Sequence, residues 1–396
     1  MRAFRLAFVD PRYWYSPELK RDLNKMNSHL SVYIYSPKWS KNESLRKKIY
    51  SPKEMEGGSG LWTTFLYPFQ VFRKARFDRV NLVHIQWELN IFGNFYASLL
   101  LPLLLLFLRC SNIKRVVTVH SVIPKASFSS KSKGFLLPDK LKTLGMIVFH
   151  FLYKLVGLLS NAIFVHGKLF KELLVHDYGL KREKIFPVPY GVPSKPISNG
   201  QSALISSLTK RKIILAWGTI GPRKGLDILI KAFGKLASEN PDWSLVIAGG
   251  FPHYYVDYYL YLKDLASEQK HNRIVFLNHL NLENMHSLLS SAEIVVFPYI
   301  YNYGASSTLT FAFQHRKMIV ISALKFVKEQ LVDGKNAILV PPGNADALAD
   351  GIKRAINDQD LRASFPKEMN EIAYHHSWSN VAKKTLEVYE QVVFAR

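Results

Sequence analysis

The chain has 396 residues, 53 of them Lys or Arg and 30 Asp or Glu, giving a formal net charge of +23, with 48% hydrophobic and 13% aromatic residues. This composition excludes a disordered chain, and the length predicts two domains with separate cores. The single cysteine, Cys110, excludes an intrachain disulfide and a cysteine-based metal site and predicts a reducing compartment, while the charge calls for an anionic partner: nucleic acid, anionic lipid or a phosphorylated substrate.

The first ten residues read as a strand, since their apolar stretch is too short for a secretory leader, and a cytoplasmic protein is expected. Strand-like runs at 6–9, 32–35, 82–85, 116–119, 162–165 and 185–188 alternate with helix-length segments. That alternation predicts a parallel sheet covered on both faces. Two basic clusters fall between the strands: Lys38, Lys41, Arg46, Lys47, Lys48 and Lys53, then Lys125, Lys131, Lys133, Lys140 and Lys142. They suit solvated loops or contact with an anionic membrane. Segment 91–108 is almost wholly apolar and is followed by Arg109, Lys114 and Arg115. Its length reaches the lower limit of a membrane span, but its place between two strands fits a crossover helix, buried or facing a membrane. A second apolar helix, 144–159, carries His150 and Lys154 at snorkelling positions, so the pair favours a protein resting on the inner face of the cell membrane.

Residues 189–208, rich in Pro, Ser and Gly, read as a linker, which gives domains at 1–197 and 198–377. Strands are expected at 212–217, 244–248, 274–276, 294–297, 318–321 and 337–340, with helices between them. The last pattern puts Val381, Ala382, Leu386, Val388, Tyr389 and Val392 on one apolar face, so 378–396 is expected to pack back toward the first domain. The fold class is therefore α/β, with two doubly wound domains and a ligand cleft between their sheet edges.

Two motifs carry chemistry. Strand 213–217 runs into Gly218-Thr219-Ile220-Gly221-Pro222-Arg223-Lys224-Gly225 and then an amphipathic stretch at 226–236. Glycines let the backbone approach an anion, the helix start aims free N–H groups at it, and Arg223 and Lys224 supply charge, so this reads as a phosphate site. Strand 294–297, ending in Pro298-Tyr299, is followed by Tyr303-Gly304-Ala305-Ser306-Ser307-Thr308, a hydroxyl-rich helix start that is either an ordinary cap or a second face for the same phosphates. In the first domain, His84, Gln86, Trp87 and Glu88 follow one strand, His120 ends the next, and His166 and Lys168 end a third. Such strand-end groups line a cleft or satisfy loop backbone. The tyrosines at 254, 255, 258, 259 and 261 suit one amphipathic helix, or stacking on a base or sugar.

In this order the motifs resemble the GT-B glycosyltransferases, specifically the large retaining family 4, and the resemblance covers nearly the whole chain. Gly218 to Gly225 is similar to the family's phosphate turn, Leu245-Val246-Ile247-Ala248-Gly249-Gly250 to its next strand and Val340-Pro341-Pro342-Gly343-Asn344 to its closing loop. Val117-Thr118-Val119-His120 resembles the strand end whose His reaches the sugar, and Phe164-Val165-His166 through Val192 the approach to the hinge. The resemblance implies two Rossmann-like domains facing across a cleft. It also implies a nucleotide-sugar donor held by Gly218, Thr219, Arg223, Lys224, Tyr303, Gly304, Ser306, Ser307 and Thr308, with His120 catalytic. The acceptor, lipid-linked or a glycan, would meet the first domain, where His84, Trp87, Glu88, His166 and Lys168 are the candidates. Transfer with retention, without a metal or cofactor, is implied.

The chain departs from the pattern in three places. The positions of the family's Glu-x7-Glu pair fall on Tyr303 and Phe311, Thr219 stands at a usual arginine with Arg223 as substitute, and Asp10 to Tyr15 replaces a glycine pair. The missing glutamates keep open a non-catalytic GT-B protein that binds a glycan or nucleotide sugar. Nucleic-acid binding rests on charge alone, without a recognisable reading helix.

Overall fold

The computed structural model describes residues 3–10, 15–35, 61–89, 95–129, 139–192, 208, 210–269 and 271–394. The basic cluster at Lys38 to Lys53, Lys131 and Lys133, and most of the expected linker lie outside these residues.

Strands β1 (Phe4–Val9), β2 (Leu30–Tyr35), β3 (Leu82–Trp87), β4 (Lys114–Val119), β5 (Ala162–Val165) and β6 (Ile185–Pro187) form one sheet in the order β2-β1-β3-β4-β5-β6, every pairing parallel. Their near-continuous apolar runs suit a sheet buried on both faces. Alternation sends Val9, Val83, Ile85 and Val117 to the face covered by α2 (Leu61–Phe77), α4 (Leu101–Cys110), α5 (Asp139–Leu159) and α6 (Lys168–His176). Phe4, Leu6, Phe8 and Val116 point the other way, toward α1 (Ser16–Met26) and α13 (Trp378–Phe394). The terminal helix thus completes the core of the first domain, its Tyr389 ring edge-on to Phe4 at 6.5 Å.

The expected helix at 91–108 is two pieces, α3 (Phe95–Ser98) and α4, with 91–94 outside the described residues. Pro102 explains the break, because a proline belongs in a helix's first turn, where its missing N–H costs nothing. At 10 residues α4 is about 15 Å long, half a bilayer core, and Leu101, Leu104, Leu105 and Leu108 are buried. The long apolar helix is instead α5, which also takes in Lys140 and Lys142; Lys142 is buried and donates to the Ser129 carbonyl (3.2 Å), so it is no loop cation.

The second sheet runs β12-β11-β10-β7-β8-β9, again parallel, from β7 (Lys212–Trp217), β8 (Trp243–Ala248), β9 (Ile274–Leu277), β10 (Ala292–Phe297), β11 (Met318–Ser322) and β12 (Ile338–Val340). Helices α7 (Leu226–Leu236), α8 (Val256–Ser267), α9 (Leu282–Ser291), α10 (Ser307–Gln314), α11 (Ala345–Asn357) and α12 (Gln359–His375) follow the strands. In α7, Leu226, Leu229, Ile230, Phe233 and Leu236 recur every three or four residues and are buried. The strand order reverses between β7 and β10. In an open parallel sheet, such a reversal opens a crevice at the strands' carboxyl ends, where ligands bind.

Candidate functional site

The β7–α7 and β10–α10 loops meet at that reversal. Gly225, at φ +63°, starts α7, and a Cβ there would sit 2.0 Å from the Pro298 carbonyl oxygen, so only glycine lets the two loops touch. Between β7 and Gly225, a short 3-10 turn, Pro222–Lys224, folds Lys224 inward. Lys224 is buried, with Nζ 3.1 Å from the Tyr299 hydroxyl and 4.1 Å from that ring's centre. The Tyr299 hydroxyl also lies 2.8 Å from both Ser306 Oγ and Thr308 Oγ1, which are 2.8 Å apart. Ser306 caps α10 by accepting from the Leu309 N–H at 3.3 Å.

Burial lowers the Lys224 pKa, only partly countered by Tyr299. Burial would raise the Tyr299 hydroxyl, but the Lys224 ammonium and the bonds to Ser306 and Thr308 outweigh it and hold that group below its ordinary value. A cation facing hydroxyls and a helix start is matched to an incoming anion, which would favour the charged form of Lys224. The recess here is lined by Trp217, Gly218, Thr219, Lys224, Ala248 and Pro298.

Across the cleft, His120 follows β4. His166 Nδ1 donates to the Val188 carbonyl (3.0 Å), His166 Nε2 lies 2.9 Å from His120 Nδ1, and His120 Nε2 lies 3.0 Å from Gln86 Oε1. The chain continues past Gln86 to His84, whose ring reaches Thr118 Oγ1 (2.6 Å) and the Tyr389 hydroxyl. Burial pushes His166 down to about 4 and His84 down to about 3, so these rings are neutral. The two domains touch beside His120. Ser121 bridges Gly304, the Val122 N–H donates to the Tyr303 carbonyl (2.7 Å), and a Cβ on Gly304 would lie 2.3 Å from the His120 carbonyl oxygen.

Residues 204–373 match the family model described as glycosyl transferases group 1. The chain is 24% identical over 415 residues to the uncharacterized glycosyltransferase MJ1069 of Methanocaldococcus jannaschii, covering 99% of this chain and 100% of that one. It is 32% identical over 181 residues to MJ1607 of the same organism, 45% of each chain. The match to a phosphatidyl-myo-inositol mannosyltransferase of Mycolicibacterium smegmatis, 28% identical, covers 43% of this chain and 42% of that one. The chain thus spans about half the length of the last two relatives. A glycosyltransferase from Rickettsia africae superposes with a TM-score of 0.70 at 17% identity over 100% of both chains, which is a likeness of fold. Anabaena Alr3699/HepE, solved with UDP and glucose, superposes with a TM-score of 0.72 at 14% identity over 98% of this chain and 100% of that one. Residues 204–373 thus carry the glycosyl transferases group 1 match, and the whole chain has the GT-B fold.

Gly218, Thr219, Lys224 and Tyr299 line one recess, Ser306 and Thr308 join it through the Tyr299 hydroxyl, and Ser307 opens α10 beside them. Arg223 is half-buried and donates to Asn302 Oδ1 at 3.1 Å. Tyr303 and Gly304 stand at the seam with the first domain instead of in the recess. Two acceptor-side candidates are corrected: His84 is fully buried against Phe8, Phe164 and Tyr389, and Trp87 is 1% exposed with its ring on Tyr153, so neither reaches a ligand. Glu88 remains partly open. Lys168 is exposed at the start of α6, where its backbone N–H donates to Glu329 Oε2 (2.9 Å) from the second domain. His166 instead faces a second recess, shared with Tyr190, Ser306, Thr310 and His376.

Sequence reasoning did not single out Tyr299, the hub of the cluster with Lys224, Ser306 and Thr308, although its place just after a strand end was a signal. Glu329, whose carboxylate also takes the Leu169 N–H, carried no signal, since its partners are about 160 residues away. Of the tyrosine group, Tyr258 bonds Asp227 (2.9 Å) and Tyr259 stacks on Phe251 at 4.2 Å, so these two pack within the domain.

Proposed function

We propose that this protein transfers a sugar from a nucleotide-sugar donor to a lipid-linked or glycan acceptor, with retention of anomeric configuration and without a bound metal. The observation that carries the reading is the Lys224–Tyr299–Ser306–Thr308 cluster at the strand-order reversal. The donor diphosphate lies against Lys224 and the start of α10, with Arg223 at the rim. As the bond from the anomeric carbon to the diphosphate breaks, charge grows on the leaving oxygen, and the lysine and helix N-terminus stabilise it where a divalent ion otherwise serves. The acceptor hydroxyl attacks the same face of the sugar and gives its proton to the departing phosphate, so no protein nucleophile is needed. His120, held at the seam by His166 and Gln86, positions the sugar.

Support for a nucleotide donor also comes from the likeness to Alr3699/HepE, which was solved with UDP-glucose. Support for a lipid-linked acceptor comes from the mannosyltransferase relative, whose name specifies phosphatidyl-myo-inositol. This acceptor places the protein in the cytoplasm, peripherally on the inner face of the cell membrane. The resemblance to the retaining family 4 supports the stereochemistry.

The test is a panel of UDP-, GDP- and ADP-sugars scored by thermal stabilisation and by release of nucleoside diphosphate. A donor at one hundred times its Kd stabilises by about 2.7 kcal/mol, and Lys224→Ala should remove that gain. Undiminished stabilisation in the variant would overturn the phosphate assignment. Phe311, packed edge-on to Trp217 at 5.3 Å where relatives place a glutamate, favours a second reading, a non-catalytic sugar-nucleotide binder. Stabilisation without nucleoside diphosphate release, across a range of acceptors, would select it.

A further inference from the structure

Helices α2, α4 and α5 lie side by side over one face of the first sheet, and their inner sides are core. Their outer sides are apolar too. On α5, Leu141, Leu144, Ile147, Phe151, Leu155 and Leu158 recur every three or four residues and are 42–65% exposed. Leu106 on α4 and Phe65, Leu66 and Phe69 on α2 extend the patch, with the Phe69 and Phe107 rings 5.0 Å apart across the helix seam. A surface helix of a soluble domain turns polar residues outward at such positions. A contiguous apolar face of this size marks an interaction site.

Charge decides what covers it. Segments 61–77 and 101–110 contain no Asp or Glu, and 139–159 contains only Asp139. Arg73, Arg76, Arg109, Lys140 and Lys154 on the same three helices are exposed. A second copy of a chain carrying +23 would bring like charge to like, whereas an anionic bilayer offers both an apolar interior and complementary headgroups.

The mode of contact follows from α5. Its residues 140–159 hold an 18-residue window with a mean hydropathy of 1.4, long and apolar enough to cross a membrane. Yet its other side is built into the domain: Phe149, Leu152, Tyr153 and Val156 are in the core, and the Tyr153 hydroxyl donates to the Ser121 carbonyl (3.1 Å). Crossing would strip these groups from the sheet. Lying in the plane immerses only the outward stripe and leaves Lys140 and Lys154 at the headgroups.

We propose that the outer face of α2, α4 and α5 is the surface by which this protein docks on an anionic lipid bilayer, parallel to the membrane and without crossing it. The inference rests on the membrane half of the proposed function and not on its donor chemistry.

Co-sedimentation with vesicles of phosphatidylcholine, with and without phosphatidylglycerol, tests it. The wild type should bind the anionic vesicles preferentially, and high salt should weaken that binding. Phe151→Asp combined with Leu155→Asp should lower the vesicle partition coefficient at least about tenfold, and Arg73→Glu with Arg76→Glu at least about 25-fold, since each basic group contributes about fivefold. All four positions are exposed, so thermal melts and the response to UDP, GDP and ADP should match the wild type. Equal vesicle binding by wild type and variants would overturn the assignment, as would a wild-type dimer that the aspartates make monomeric. Retention in membranes washed with alkaline carbonate would overturn the in-plane placement. A protein that answers to no nucleotide but still shows this vesicle pattern would sink the donor reading and leave the surface standing.

Discussion

Lys224 keeps its inward position through neighbouring backbone, because the 3-10 turn that carries it closes on Gly225, pressed against the Pro298 carbonyl. Gly225→Ala drives a methyl group into that oxygen at a left-handed φ, and should cost about 2–4 kcal/mol in urea denaturation. Lys224→Ala differs in kind: the Tyr299 hydroxyl keeps Ser306 and Thr308 as partners, so the melting temperature should barely move while transfer falls at least about a hundredfold. The histidines set a pH dependence. His166 and His376 are pushed down to about 4 and His84 to about 3, chiefly by burial, so all three stay neutral in the fold below the pH at which unfolded rings protonate. The unfolded chain therefore takes up protons first on acidification. Stability is complete above about pH 6.5 and is lost as pH falls toward 4, at about 1.4 kcal/mol per pH unit for each ring. Melting temperatures measured from pH 7.5 to 4.5 should fall on this course, with a shallower slope for His166→Gln; a flat profile would contradict the burial of these rings.

At the scale of elements, α6 starts with N–H groups that no side chain of its own domain caps. Glu329 of the second domain supplies the carboxylate, bonding Lys168 and Leu169 across the cleft. A carboxylate at a helix N-terminus gains from the helix dipole as well as the hydrogen bonds. Glu329→Ala should cost about 1 kcal/mol, seen as faster hydrogen exchange at amides 168–170, and unchanged exchange would mean that the contact carries no load. Strands and amphipathic helices such as α7 were legible from their periodicity alone. The division of 91–108 was not, because apolar content masks a helix start that only Pro102 marks.

At the scale of the whole molecule, the chain leaves its first domain, builds the second and returns through α13 to finish the first. Leu386 is 5% exposed in that returning face, among residues that share a core with Phe4 and Leu6. Leu386→Ala should cost about 2–4 kcal/mol, and the lost protection should appear in β1 and β3, far earlier in the chain, when amide exchange is mapped. Loss confined to the second domain would contradict the packing.

The order of strands and helices, the glycine-rich turn at Gly218 to Gly225 and the apolar face of the terminal helix were legible in the residues, because each depends on local periodicity or on the backbone freedom of glycine. Which polar groups face the cleft was not. His84 and His120 both sit at or near strand ends in sequence, yet one is sealed beneath α13 and the other stands at the seam between domains. Side-chain direction at a strand end depends on which element covers that face, and the covering helix here comes about 300 residues later. The same holds for the Lys224–Tyr299 cluster, since the two residues meet only because β7 and β10 become neighbours where the strand order reverses.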